Sequence, residues 1–409
     1  MTVETSYPKD KIRVLLLEGV HPDAVARLRE ESFSIDVEKR ALSEAELLDR
    51  AAEYHLIGIR SKTCLPERVI RKARRLLAVG AFCIGTNQVD TGAARSAGVP
   101  VFNAPHSNTR SVAELVIAGI LMLFRNLYDK IRSAHQGEWH KSARGSVEVR
   151  GKTVGIVGYG HIGSQVSILA EALGMRVLYH DIADKLALGN AARAADLRDL
   201  LENSDVVTVH VPGDPGNAGM IGGEEIGWMK QGSFLINTSR GFVVDVDALR
   251  AALVSKHLAG AALDVFPQEP GSDADPFVSP LQGMPNVILT PHIGGSTQEA
   301  QRNIGLEVSG KLIRFTNNGS TEGAVNFPNV ILPELIHHHR ILHIHRNVPG
   351  VLQHVNALFG EAGINVAAQH LRTQEDVGYL IMDIAKTATR AMIRELARLP
   401  ETIRVRALF

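Results

Sequence analysis

Along the first hundred residues the apolar positions fall in short runs: IRVLLL at 12–17, IDVE at 35–38, LIGI at 56–59, LLAVG at 76–80 and VPVF at 99–102. Each run is too short for a helix and rich in aliphatic or β-branched side chains, so each predicts a buried strand. Helical patterns such as ERVIRKARRL and TGAARSAG stand between them. Strand and helix alternating in this way predict a parallel sheet covered on both faces. SNTRSVAELVIAGILMLFRNLYDKIR comes next. Ser111 with Glu114 three residues on predicts a capping box, and the helix behind it is apolar nearly all round, hence buried between domains or between subunits. A second alternating series opens at KTVGIVGYGHIG, with strands expected in MRVLYHD, VVTVHVP, SFLINTSRG, LAGAALDVF and NVILTPH. After Asn326 the pattern changes. NFPNVILPELIHHHR carries two prolines and predicts a linker, taken as 327–336. Residues 337–409 then read strand, helix, strand, strand, helix, strand, the βαββαβ order of a ferredoxin-like domain. The expected fold class is α/β: two Rossmann-like, doubly wound parallel-sheet domains plus this small third domain.

Length agrees, since 409 residues at roughly 100–200 per domain make two to four domains. Lys plus Arg (44) equals Asp plus Glu (44), so no overall field favours nucleic acid or an anionic membrane, and any anion site must be a local cluster. Cys64 and Cys83 cannot make a disulfide framework. The first apolar run is cut by Glu18, too early for a signal-peptide core, and no run reaches the roughly 18 residues that span a bilayer. A reducing, cytoplasmic setting is expected. The run His337 to Arg340, with His343 and His345 nearby, raises a metal site. Adjacent histidines in a linker are more often solvated, and strand alternation puts His343 and His345 on one face, so no metal is assigned.

Gly158, Gly160 and Gly163 spell GxGxxG after one strand and at the head of the helical HIGSQVSILAEALG. The following strand ends at Asp181, 18 residues after Gly163. That context predicts a dinucleotide site, with pyrophosphate against the helix N-terminus. Asp181 would take the adenosine ribose hydroxyls and repel the extra phosphate of NADP, so NAD is the expected cofactor. Arg240, Glu269 and His292 stand at the ends of later strands, where open parallel sheets bind ligands.

In these segments the chain resembles the D-isomer-specific 2-hydroxyacid dehydrogenases. The resemblance rests on GYGHIG with Asp181, MKQGSFLINTSRGFVVD, GAALDVFPQEP and LTPHIGGSTQEAQ, with FCIGTNQVD and FNAPHSNTRSVAE near the front, in family order and spacing. It implies that Arg240, Glu269 and His292 are the catalytic set. It places NAD contacts at His161, Ile162, Asp181, Thr238, Ser239, Arg240, Asp264, His292, Ile293, Gly294 and Gly295. It makes residues 1–107 and 296–326 a discontinuous substrate lobe, the chain returning through STQEAQRNIGLEVSGKLIRFTNNG, and 108–295 the NAD domain. The chemistry suits that set: an imidazole titrates near neutral pH, a carboxylate behind it fixes its tautomer, and a planar guanidinium holds the substrate carboxylate.

Arg60, Ser61 and Lys62 follow the strand LIGI, and such local positive charge suits a phosphorylated substrate. The resemblance places substrate contacts there and at Asn108, Lys39 and Lys141, and implies 3-phosphoglycerate, oxidised to 3-phosphohydroxypyruvate in the first step of serine synthesis. Reduction of 2-oxoglutarate is a further activity of the family. A glyoxylate or hydroxypyruvate reductase is an alternative, and so is a dinucleotide-sensing scaffold like the C-terminal-binding corepressors. Residues 337–409 resemble an ACT domain, which implies an L-serine site at His345, Asn347 and Asn365. Arg346 stands where the family pattern has an acid. A homotetramer is implied, paired through the nucleotide domains and through the ACT domains.

Overall fold

A computed structural model describes residues 7–271, 275–334, 339–384 and 390–408. The chain divides into two compact units, one of residues 1–107 with 301–409 and one of 108–300.

The first unit opens with β1 (Arg13–Leu16), α1 (Pro22–Glu30), β2 (Ser34–Val37), α2 (Glu44–Arg50), β3 (Leu56–Ile59), α3 (Glu67–Lys72), β4 (Ala78–Ala81), α4 (Thr91–Ser96) and β5 (Val101–Phe102). The strands form a parallel sheet in the order β2-β1-β3-β4-β5. Period-two geometry divides β1 between two cores. Val14 and Leu16 pack with Leu56, Val308 and Leu312 on one face, while Leu15 and Leu17 pack with Leu47, Ile57 and Val69 on the other. That is why these strands are continuous apolar runs rather than alternating ones.

The second unit holds α5 (Thr109–Phe124), α6 (Leu127–His135), β6 (Thr153–Val157), α7 (His161–Ala172), β7 (Arg176–His180), β8 (Ala191–Arg193), α8 (Leu197–Asn203), β9 (Val206–Val209), α9 (Gly223–Trp228), β10 (Ser233–Asn237), α10 (Val246–Val254), β11 (Leu258–Leu263) and β12 (Val287–Leu289). Its seven parallel strands run β12-β11-β10-β9-β6-β7-β8, so the winding reverses between β6 and β9. The single helix expected over 107–132 is instead two, because Asn126 takes a left-handed φ of 47° and α6 leaves at 72° to α5. The expected capping box is also corrected. Asn108 is the N-cap of α5, and Ser111, inside the helix, bonds Thr297 Oγ1 at 2.7 Å while Glu114 pairs with Arg110. The apolar face of α5 is buried on its own sheet: Val116, Ile120 and Phe124 pack with Val154, Ile156 and Phe234. Among the described residues no single helix is long and apolar enough to cross a membrane.

Helix α11 (Gln298–Asn318) leads back to the first unit, which ends in β13 (His339–Arg346), α12 (Val351–Glu361), β14 (Val366–Gln374), β15 (Val377–Ile384), α13 (Arg390–Arg398) and β16 (Thr402–Leu408). These strands make an antiparallel sheet in the order β14-β15-β13-β16, the ferredoxin-like arrangement. The segment expected as a linker carries a buried face: Phe327, Val330 and Leu332 pack on Leu342, Ile344 and Tyr379 of this sheet. His337 and His338 lie outside the described residues. Arg340 is buried and grips both oxygens of Asp383, at 2.6 and 2.8 Å.

Candidate active site

The switch point of the seven-stranded sheet is built tightly. Gly158, just past β6, has φ of 92°, and a Cβ there would stand 2.5 Å from the His210 carbonyl oxygen at the exit of β9. Only glycine lets these two chains approach so closely. Gly160 caps α7 and has open space where a side chain would be, and Gly163 is buried in its first turn. Asp181, ending β7, is held by two backbone donors: Tyr159 N to Oδ2 and Ala183 N to Oδ1, both at 2.8 Å. A carboxylate accepts about four hydrogen bonds, so room remains for a diol. At the same sheet edge His210 Nδ1 and Thr238 Oγ1 are buried with no partner in the protein. Burial pushes His210 down to about 3, so its imidazole is neutral. An open helix start, a fixed acid and two orphaned polar atoms along one edge fit a bound dinucleotide.

Asn237, fully buried at the end of β10, shapes the next turn. Its Oδ1 accepts Ser239 N and Ser239 Oγ, and its Nδ2 donates to Arg240 O at 2.9 Å. Gly241 follows, and a Cβ there would collide with the Phe266 backbone. The exits of β10 and β11 therefore press together, carrying Arg240 towards the loop that holds Glu269. The Arg240 guanidinium donates to Ser239 O at 2.7 Å and acts by charge on both Glu269 and His292.

His292 and Glu269 meet directly, Nδ1 to Oε2 at 2.7 Å. With a carboxylate as partner, Nδ1 carries the hydrogen and Nε2 is left as the basic nitrogen. The bond to Glu269 raises His292 above its ordinary value, against a smaller opposing effect of burial. Burial pushes Glu269 up, but His292, the Phe266 N–H and the charge of Arg240 together bring it below its ordinary value. His292 has φ of 53°, a conformation that costs a non-glycine residue about 1–3 kcal/mol. Asp264, buried at the end of β11, holds it there. Its carboxylate accepts Thr290 Oγ1 at 2.6 Å and the Ile293 and Gly294 amides at 2.8 Å each. Arg240, Glu269, His292 and Asp264 are thus one assembly at the carboxyl edge of the sheet.

The remaining candidates are distributed between the units. His161 is exposed at the start of α7 and Ile162 half-buried behind it. Asn108 lies close to Gly295, and Lys141 is exposed in the coil after α6. In the first unit, Arg60, Ser61 and Lys62 follow β3. Lys39 sits exposed between Glu38 and Arg40, whose carbonyls accept Gly19 N and Glu18 N beside the same sheet edge.

Residues 117–294 match the family model described as the NAD binding domain of the D-isomer specific 2-hydroxyacid dehydrogenases, and 341–404 match an AHAS small subunit-like ACT domain. D-3-phosphoglycerate dehydrogenase of Escherichia coli K12 is 54% identical over 409 residues, covering 99% of this chain and 100% of the relative. The chain belongs to the D-isomer-specific 2-hydroxyacid dehydrogenases. The enzyme of the same name from Dictyostelium discoideum is 49% identical, with both chains covered completely. D-lactate dehydrogenase of Aquifex aeolicus, solved with NAD and lactic acid, superposes with a TM-score of 0.68 at 28% identity, covering 77% of this chain and 100% of that one. As a member of this family the protein is an NAD-dependent oxidoreductase.

In its ACT domain, His345 is buried on β13 and stacks on His343 at 5.2 Å, one face as the alternation predicts. His345 Nδ1 bonds Arg346 O, while Nε2 is buried without a partner. Asn347 follows in the loop, its Nδ2 on Glu375 O, and Asn365 is exposed just before β14. Arg346 turns its guanidinium to Pro400 O at 2.7 Å. His210 and Asn237 went unnoticed in the sequence because the strands VVTVHVP and SFLINTSRG read as core. Their one signal is a polar side chain at the end of an otherwise apolar strand.

Proposed function

We propose that the enzyme oxidises 3-phospho-D-glycerate to 3-phosphohydroxypyruvate, opening L-serine synthesis, and that L-serine inhibits it. The His292–Glu269 pair at 2.7 Å, under the charge of Arg240, carries this conclusion, in a chain similar from end to end to D-3-phosphoglycerate dehydrogenases. His292 Nε2 takes the proton of the substrate hydroxyl, and Glu269 steadies the imidazolium that results. Arg240 grips the substrate carboxylate with its planar fork and, in reverse, polarises the keto oxygen. NAD, when bound, supplies the hydride acceptor. The amides at the start of α7, from Gly160 to Gly163, would hold its pyrophosphate and Asp181 its ribose, with further contacts from His161, Ile162, Thr238, Ser239 and residues 293–295.

Arg60, Ser61 and Lys62, with Lys39, Asn108 and Lys141, supply contacts to the phosphorylated end of the substrate. His345, Asn347 and Asn365 receive serine, the orphaned Nε2 of His345 being the group that a polar ligand would satisfy. A cytoplasmic homotetramer belongs to the same proposal. The test is NADH formation from 3-phosphoglycerate, with D-glycerate as control and with L-serine added. Turnover of the phosphorylated acid that falls with serine supports the assignment. Equal turnover of the unphosphorylated acid overturns it.

A further inference from the structure

The first sheet has a switch point of its own. In the order β2-β1-β3-β4-β5 the winding reverses between β1 and β3, and the crevice outside the carboxyl ends there is where such sheets bind ligands. Glu18 lies at the exit of β1 with a left-handed φ of 62°. Its carboxylate reaches across to the loop after β3: Oε1 accepts Arg60 N at 3.0 Å and Thr63 N at 2.9 Å, and Oε2 accepts Lys62 N at 2.9 Å. Three amides of one short loop converging on one carboxylate form the kind of backbone nest that elsewhere holds a phosphate. Here the chain fills it with its own anion. Arg60 is held twice more, by Gln88 Nε2 on its carbonyl at 2.6 Å and by its own Nη1 on Glu18 O at 3.2 Å.

We propose that Glu18, aided by Gln88, is a positioning residue for the anionic end of the substrate, an inference that rests on the function proposed above. With the loop amides already taken, the phosphate is met by the side chains of Arg60, Ser61 and Lys62, and Glu18 sets the loop conformation from which they project. A residue forced into a left-handed conformation at a ligand-binding edge is the observation expected of such a role. Removing the carboxylate frees the loop and loses the prearranged geometry on which charged recognition depends.

The experiment uses the full-length protein as wild type, Glu18→Gln, Glu18→Ala, Arg60→Ala and the double variant Glu18→Ala/Arg60→Ala. Glu18→Ala should raise KM for 3-phosphoglycerate about tenfold, with kcat and the KM for NAD within about twofold. Glu18→Gln, whose amide oxygen still accepts two of the three N–H groups, should fall between. In the Arg60→Ala background the further change should be smaller, about two- to threefold, because only Ser61 and Lys62 remain to be positioned. A KM that stays the same or falls, as it would if the vacated nest itself took the phosphate, overturns the proposal. So does an equal rise in both KM values. If Glu18→Ala does not fold, Glu18→Gln carries the same test. Calorimetric titration with inorganic phosphate separates the two readings. Should the wild type not turn over 3-phosphoglycerate, the function proposal fails, while phosphate affinity weakened in the Glu18 variant sustains this one and unchanged affinity refutes it.

Discussion

His292 owes its proton chemistry to one contact, the 2.7 Å bond from Nδ1 to Glu269. Removing the imidazole in His292→Ala should lower kcat by about a hundredfold or more while NADH still binds, which fluorescence titration checks. Glu269→Gln tests the tuning. Oxidation requires the neutral imidazole, so kcat/KM climbs as pH rises through the His292 pKa. Glu269 raises that pKa above the ordinary 6.5, so the wild-type limb lies above it. Without the carboxylate the limb should move to lower pH even as the maximal rate falls, and in the reductive direction the declining limb should move the same way. A limb that stays put would mean another group titrates. Arg240 and His292 stood out as polar residues just past apolar strands and Glu269 as an acid in the loop after β11, and the family resemblance made them a set. Asp264 was legible as the one acid in GAALDVF, though not as the clamp on a left-handed His292 loop. Glu18 was not legible at all. Along the chain it only ends an apolar run, and its partners lie 42 to 45 residues away.

At the scale of elements, the site depends on two strand exits lying against one another. Gly241 follows Arg240 with no room for a Cβ before the Phe266 backbone. Gly241→Ala should push the exits of β10 and β11 apart, costing about 1–3 kcal/mol in urea unfolding and reducing kcat more than the KM for NAD, since Asp181 and the glycine turn are untouched. Most strands were legible to within two residues because buried parallel strands are unbroken apolar runs. β8 was missed: three residues, two of them exposed, carry almost no strand signal, and what makes them a strand is pairing with β7. The break between α5 and α6 was missed too, since LFRNLY keeps helical periodicity straight through Asn126. What stops α5 there is a backbone conformation that asparagine tolerates better than most residues, not a change of pattern.

At the scale of the whole molecule, the last sheet of the first unit is joined to α11 by buried polar groups as well as through the apolar face of residues 327–332. Arg340 donates to Asn318 O and Pro333 O besides Asp383, Tyr379 OH donates to Gly319 O at 2.7 Å, and Arg406 reaches Thr316 O at 3.1 Å. Three side chains of the ACT sheet thus meet the carbonyls at and just beyond the C-terminus of α11, where a helix leaves its acceptors unsatisfied and favours positive charge. Among the described residues Asp383 is the carboxylate paired with Arg340, and a buried guanidinium without its carboxylate costs about 3–5 kcal/mol. Asp383→Ala should therefore destabilise by about that amount, and Arg340→Met in the same chain should recover most of it, because a buried pair replaced by apolar groups is often neutral. Differential scanning calorimetry can tell which part yields. If the ACT sheet loosens first, Asp383→Ala shows a separate early transition and loses its response to L-serine while turnover without serine persists. If one transition moves as a whole, the carbonyls of α11 tie the two sheets into one cooperative unit, and serine response and turnover are lost at the same temperature.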